Sequence, residues 1–437
     1  MTYFRKLIHS HLRNSFLKRG LHSTNSFLNI QPALSNFNDS QKYSENEASA
    51  KITNRKYLDQ DIGVLEVENE GNTMDFDLMW LRDNCKCPKC WDGVTLQRIY
   101  HHIDLDPELA VKEMTMKDDQ IHIQWDKENH NSQYSLKWLT SNRYPDPNLN
   151  YNNNKKLWNA SILGRKLENL PRIKYKNVME SDGMKRLVMN LRDYGLAFVE
   201  ETPVNSEATE LLCKKIGPIR NTHYGTFWEF EANLMHNDAA YQNFKLEPHT
   251  DTTYFTDPAG LQIFHLLSFD GEGGEQIYMD GFLMANNFKE EYPEEYKLLA
   301  QQPVPFHSAG DEGQYLTTKN HTIFEHEVAG DIESPLLRLR YNYDSRSVPK
   351  HNMDSIKMRQ WYLALNKFIK SQHQNLDNRV YFPLEKGTTI IIDNYRVLHG
   401  RNAFTANKRK LCGAYINHDD LISQWNIIMN KDKKSSI

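Results

Sequence analysis

The sequence predicts an α+β, mainly β protein: a double-stranded β-helix (jelly-roll) with helices flanking it, preceded by a small β-rich domain. Three observations lead there. Apolar and polar residues alternate in short segments such as 61–68 and 121–125, the period of a half-buried strand. Beyond Gly217 the chain returns to strand-like runs separated by Gly- and Asn-marked turns, interrupted by one long helical stretch. No G-x-G-x-x-G follows a strand, since Gly271, Gly273 and Gly274 miss that spacing, so a doubly wound sheet lacks its first βα turn.

The elements follow in chain order. In residues 1–45, Arg5, Lys6, Arg13, Lys18 and Arg19 precede the first acidic residue, Asp39, and are interleaved with Phe4, Leu7, Ile8, Leu12, Phe16 and Leu17. This basic, acid-free, amphipathic start resembles a mitochondrial presequence with a processing site near 19–23, which places the mature protein in the matrix; an unprocessed basic tail would leave it in the cytoplasm. Residues 50–141 form the small domain. The Asn- and Pro-rich stretch 142–156 cannot bury a face and reads as a linker. Residues 157–437 form the larger domain. Its first helices place Met184, Leu187, Val188 and Leu191 on one face, then Leu211, Leu212 and Ile216 on another, with Ser206 as N-cap. Residues 261–267 are strand-like and 271–274 a hairpin turn. A helix over 354–370 carries Met358, Trp361, Leu365, Phe368 and Ile369 on one side, and 388–392 is too β-branched for a helix.

Composition narrows the function. The chain has 437 residues, 39% of them hydrophobic, enough for a sizeable core, and a formal net charge of −4 that argues against nucleic acid as partner. No apolar run approaches the roughly 20 residues that span a bilayer, so no membrane role is expected. Five cysteines make no disulfide framework in a chain this long. Cys85, Cys87 and Cys90 crowd together instead, a spacing that suits three zinc ligands with a fourth from elsewhere, and His101-His102 lie nearest in sequence.

Neither G-x-S-x-G nor a P-loop is present. His249-Thr-Asp251 offers one imidazole and one carboxylate, which on a strand would share a face. His102/Asp104, His236/Asp238 and His418/Asp420 have the same spacing, so context must choose. His399 follows 150 residues after His249, at the expected end of the 388–392 strand region and ahead of Gly400. Two His and one carboxylate leave open positions on Fe(II). Downstream, Arg409 could clamp a dicarboxylate in two-pronged fashion; Arg401 competes for that role but sits beside the metal ligand, where structural support suits it better.

His249-Thr-Asp251, His399-Gly and Arg409 together resemble the Fe(II)/2-oxoglutarate dioxygenases of the taurine dioxygenase type. Trp80-Leu-Arg-Asp-Asn-Cys85, His249-Thr-Asp-Thr-Thr-Tyr-Phe255, Arg340-Tyr-Asn342 and Asp393-Asn-Tyr-Arg-Val-Leu-His-Gly400 are similar to the branch of γ-butyrobetaine and trimethyllysine dioxygenases, over about residues 57 to 425. The resemblance implies iron on His249, Asp251 and His399, and 2-oxoglutarate with Arg409 on its far carboxylate and Phe264 lining the pocket. It further implies O2 as co-substrate, ascorbate as supporting reductant and a homodimer. It names His130 as the fourth zinc ligand beside Cys85, Cys87 and Cys90, with His101-His102 as rivals. A quaternary ammonium donates no hydrogen bond and is held by aromatic faces; Tyr224, Trp228, Tyr241 and Tyr415 match the family's cage. Asp238 would pair with the α-ammonium of trimethyllysine and Asn342 with its carboxylate, whereas γ-butyrobetaine would meet repulsion at Asp238. The expected reaction is therefore C3 hydroxylation of trimethyllysine with release of succinate and CO2. γ-Butyrobetaine hydroxylation is the alternative, and a non-catalytic metal-binding scaffold would require one of the three iron ligands to be missing.

Overall fold

The computed structural model describes residues 48–57, 60–144, 155–163, 170–180, 182–231, 243–309, 313–348, 353–405 and 408–429. The expected presequence, most of the Asn-rich linker, Asp238 and Tyr241 lie outside the described residues.

At the N-terminal side, Ser49–Tyr57, Gln60–Asn69 and Asn72–Asp77 form one antiparallel sheet. Val111–Lys117, Gln120–Trp125 and Asn131–Ser135 form a second. Alternation is obeyed: Ile121, Ile123 and Trp125 are buried and pack with Leu65, Val67, Phe76 and Leu81. The helices Leu78–Asp83 and Leu136–Ser141 begin where Asp77 and Ser135 accept hydrogen bonds from the free N–H groups of Trp80 and Trp138.

The remainder is a jelly-roll with helices outside. A six-stranded sheet runs in the order Phe227–Glu231, Arg409–Ile416, Leu261–Phe269, Thr389–Asp393, Leu196–Glu200, Arg172–Lys174. A four-stranded sheet runs Leu246–His249, Val397–Arg401, Gln276–Asp280, Val380–Phe382. The β-branched run near 390 is explained by alternation. Ile390 and Ile392 point between the sheets to meet Tyr278, Phe382 and Val397, whereas Ile391 points outward beneath Leu187, Leu191 and Leu212 of the helices Gly183–Tyr194 and Ser206–Ile216. Each such side chain contributes about 1.5–3 kcal/mol by burial. Gly273 and Gly274 take positive φ, but the expected hairpin at 271–274 is not formed: Leu261–Phe269 and Gln276–Asp280 lie in different sheets, and Glu272–Gly273 pairs instead with Phe404–Thr405. The helix Ser355–Phe368, capped by Asp354 and extended by a π-turn, packs Trp361, Leu365 and Phe368 against Phe288, Phe324 and Tyr341. Among the described residues no helix is long and apolar enough to cross a membrane.

Three other local expectations are corrected. The cap of Ser206–Ile216 is Asn205, whose side chain accepts from Ala208 N–H; Ser206 is already helical. Leu211 is exposed, because the helix buries Ala208, Thr209, Leu212, Cys213 and Ile216 and Leu211 falls off that face. His399 stands in the middle of Val397–Arg401 instead of at a strand end.

Candidate active site

His249 ends its strand, and Asp251 lies beyond it, so the pair is not the same-face strand dyad that spacing suggested. Asn394 supplies what strand pairing would have supplied. Its Oδ1 accepts from Asp251 N–H at 2.7 Å, and its Nδ2 donates to the carbonyls of Asp251 and Ala259 at 3.1 and 2.8 Å. Thr252, next in the chain, has φ +52°, costly for a β-branched residue. Its Oγ1 accepts from Ala259 N–H, while buried Arg340 donates to the carbonyls of Thr253, Phe255 and Thr256 and holds the turn shut.

His399 is the direct cross-strand neighbour of His249, with ring centres 4.7 Å apart. Nε2 of His249 is 3.1 Å and Nε2 of His399 3.7 Å from Asp251 Oδ1, and the ligand atoms of the three residues all lie within 4.8 Å of one another. Atoms bound at about 2.1 Å to one ion and at right angles lie about 3 Å apart, so this donor set fits a single metal. Two imidazoles and a carboxylate are the set that suits non-haem iron. Nδ1–H of His249 donates to the Glu247 carbonyl at 2.7 Å, which turns its Nε2 toward that point. Burial drives His399 down to about 3, leaving it neutral with a free lone pair. Burial alone would raise Asp251, but His399, His249 and the Tyr415 hydroxyl hold it well below the usual carboxylate range. Tyr415 Oη, at 2.8 Å, and the Gln262 amide both donate to Oδ2, leaving Oδ1 to face the histidines.

The three residues open on a cavity of 560 Å³. Tyr224, Trp228, Phe264, Asn342, Arg409 and Tyr415 line it, all of them expected from sequence. The Phe264 ring lies 5.6 Å from that of His399, and Trp228 lies 5.9 Å from Phe264 and 6.3 Å from Tyr415. Trp228 fits because its cross-strand neighbour is Gly413: a Cβ there would collide with the indole and with the Ile263 carbonyl. Arg409 is 4% exposed, and no carboxylate pairs with it among the described residues. Burial first, then the like charge of Arg401, pull it down to about 9. Arg401 also lines the cavity and donates to the Phe244 carbonyl.

The cysteines make a second cluster. His130 Nε2 lies 3.4, 3.7 and 3.6 Å from the sulfurs of Cys85, Cys87 and Cys90. A tetrahedral ion with sulfurs at about 2.3 Å and nitrogen at about 2.1 Å separates them by about 3.6 Å, so these four side chains have the dimensions of a closed zinc site. Of the rivals, His101 and His102 are exposed, and His102 faces Asp83.

Residues 162–415 match the taurine catabolism dioxygenase TauD, TfdA family, more than half of the chain. The chain belongs to that family. As an enzyme of this dioxygenase family it works with Fe(II), 2-oxoglutarate and O2. Residues 57–140 match a γ-butyrobetaine hydroxylase-like N-terminal family. The trimethyllysine dioxygenase of Meyerozyma guilliermondii is 34% identical over 395 residues, 86% of this chain and 96% of the relative. The mitochondrial trimethyllysine dioxygenase of Homo sapiens is 33% identical over 362 residues, 82% and 84% of the two chains. The γ-butyrobetaine dioxygenase of Pseudomonas sp. is 29% identical over 372 residues, 83% and 92%.

Sequence reading of this dioxygenase missed the residues that position Asp251. Asn394 and Arg340 stood inside motifs already quoted, so their signal was present; Gln262 carried none. Tyr415, expected only as a cage wall, also holds the carboxylate.

Proposed function

We propose that this dioxygenase hydroxylates C3 of N6,N6,N6-trimethyllysine, the entry step to carnitine, while converting 2-oxoglutarate to succinate and CO2. The observation that carries the reading is Arg409: a buried cation with no carboxylate partner among the described residues, on the wall of the cavity onto which His249, Asp251 and His399 open. Such a charge is stabilised by a dianion entering from outside, and 2-oxoglutarate offers a keto acid end to a metal and a second carboxylate to a guanidinium in the same cavity.

Fe(II) on the three ligands, with 2-oxoglutarate and O2, supplies the oxidising power for hydroxylation when bound. The chain's own residues do the rest. Glu247 and the buried neutral state of His399 present two imidazole lone pairs, and Tyr415 and Gln262 aim Oδ1 of Asp251 at the same point. Arg409 holds the far carboxylate of 2-oxoglutarate, and Phe264 walls that end from water. Tyr224, Trp228 and Tyr415 offer π faces to the trimethylammonium, joined by Tyr241 in our reading. Asp238 takes the α-ammonium and Asn342 the α-carboxylate. The names of the fungal and vertebrate relatives support this substrate.

The remaining assignments belong to the same proposal. Zinc on Cys85, Cys87, Cys90 and His130 staples the 50–141 domain, ahead of the 142–156 linker and the 157–437 catalytic domain. Residues 1–45 direct the chain to the mitochondrial matrix, supported by the mitochondrial naming of mammalian relatives. Ascorbate sustains turnover, and two copies form a homodimer.

The test is succinate formation and product mass for trimethyllysine and γ-butyrobetaine side by side, with Fe(II), with and without ascorbate. Preferential hydroxylation of trimethyllysine is expected; preference for γ-butyrobetaine would move the assignment to the alternative substrate. His399→Ala should abolish 2-oxoglutarate turnover even without substrate.

A further inference from the structure

The short turn from Asn342 to Ser345 presents two unspent polar groups to the cavity. Asn342 Oδ1 accepts from the backbone N–H groups of Asp344 and Ser345, at 2.9 and 3.3 Å. A carboxamide oxygen accepts and its nitrogen donates, so this fixes which way the amide is turned. Nδ2 is left as a donor with no acceptor among the described residues. The Asp344 carboxylate, exposed at the cavity rim, has neither ion pair nor side-chain hydrogen bond among the described residues. Of the described residues lining the cavity only Asp251 and Asp344 carry carboxylates, and Asp251 is committed to the histidines, Tyr415 and Gln262.

From this geometry we infer that the turn reads the zwitterionic end of the substrate: Asp344 is a second acceptor for the α-ammonium, whose three N–H groups leave room for it beside the carboxylate already assigned, and Nδ2 of Asn342 binds the α-carboxylate on the same carbon. The inference rests on trimethyllysine being the substrate. It adds a specificity residue, Asp344, that selects an α-amino acid over a bare carboxylate. A donor and an acceptor two residues apart match two groups on one carbon. C3 is bonded to that carbon, so holding the zwitterion at the turn and the trimethylammonium in the aromatic cage suspends C3 between two fixed points.

The experiment uses the full chain with Fe(II) and ascorbate, comparing the wild type with Asp344→Asn and Asp344→Glu. The substrates are trimethyllysine and Nα-acetyl-trimethyllysine, in which the ammonium is gone. Asp344→Asn should raise KM for trimethyllysine about tenfold, the scale of a lost charged hydrogen bond at a partly wet site. It should leave kcat and the KM for 2-oxoglutarate within about twofold, since Asp344 makes no hydrogen bond or ion pair with the three metal-site residues or Arg409 and reaches His249 through its charge alone. Nα-acetyl-trimethyllysine should bind weakly to the wild type and no worse to the variant, and Asp344→Glu should recover most of the loss. An unchanged KM for trimethyllysine, or an equal loss on both substrates, overturns the inference and leaves the ammonium to other residues. A wild type that does not hydroxylate trimethyllysine overturns the substrate reading itself, and this inference with it.

Discussion

Replacing Arg409 by Met should stabilise the ligand-free protein and at the same time abolish its response to 2-oxoglutarate, because both effects have one cause. The guanidinium is 4% exposed and is pulled from 12.5 to about 9, by burial first and by Arg401 second. At about 1.36 kcal/mol per pKa unit, that corresponds to a penalty of about 5 kcal/mol for holding the charge in place. Its sign follows from linkage. The folded pKa lies below the unfolded one, so the penalty is fully present below pH 9 and fades as pH climbs toward 12.5. Relaxation and the lost packing against the Phe404 ring, 4.9 Å from the guanidinium, bring the expected gain to about 2 kcal/mol. For a domain of this size that is roughly 3–4 °C in Tm. The binding side runs the other way: removing one partner of a buried charge pair costs about 3–5 kcal/mol, or roughly 10²–10⁴-fold in the Kd for 2-oxoglutarate. Calorimetric melting of both proteins over a 2-oxoglutarate titration reads both effects. Wild-type Tm should climb with ligand, by the equivalent of about 2.7 kcal/mol at 100 times Kd. The variant should start higher and stay flat. A variant that melts lower than the wild type and still shifts with 2-oxoglutarate would refute the reasoning.

Tyr415→Phe removes the hydroxyl that holds Asp251 Oδ2 and should weaken metal binding about 10–100-fold while leaving the melting of the metal-free protein nearly unchanged; Co(II) titration followed by visible absorbance checks this. Metal analysis should find zinc that survives Fe(II) chelation, and Cys87→Ser should release it and lower the folded yield; zinc-free protein that folds normally would count against the closed site. Glu325 would be raised by burial, yet the hydrogen bond from His321 and the charges of Arg340 and Arg338 hold it down at about 2. Its folded pKa is depressed, so its contribution, up to about 3 kcal/mol, is complete above pH ~4.5 and is lost as pH falls through 2. Glu325→Gln should flatten that part of the acid-unfolding profile.

The sheet architecture was legible because strands declare themselves by alternation, and the run at 388–392 did so twice over, with β-branched residues feeding both faces of the six-stranded sheet. The three residues of the candidate metal site were legible as types at a spacing, with the motifs around them choosing His249 over three other pairs. Their register was not. That His249 and His399 are direct neighbours is a property of two strands 150 residues apart, and nothing local in either strand states it. The fourth member of the cysteine cluster came from the resemblance and not from spacing, since nearness in sequence favoured His101-His102, while His130 lies in the loop between the paired strands Gln120–Trp125 and Asn131–Ser135.

The same limit explains why Asp251 was placed on a strand. Alternation predicts that residues i and i+2 share a face only while the chain stays extended, and here the extension stops at His249. The chain then takes a conformation that Thr252 resists, at a cost of order 1–3 kcal/mol. It stays there because residues far away oppose relaxation: Asn394 grips Asp251 on both sides, Arg340 gathers three carbonyls of the turn, and Glu325 fixes Arg340 at 3.0 Å. A strand would have set the carboxylate by pleat alone, free to shift with the sheet. A strained turn locked by buried charges sets it by a network that yields only as a whole, which suits a carboxylate that must keep one oxygen aimed at a metal while a bulky co-substrate enters beside it.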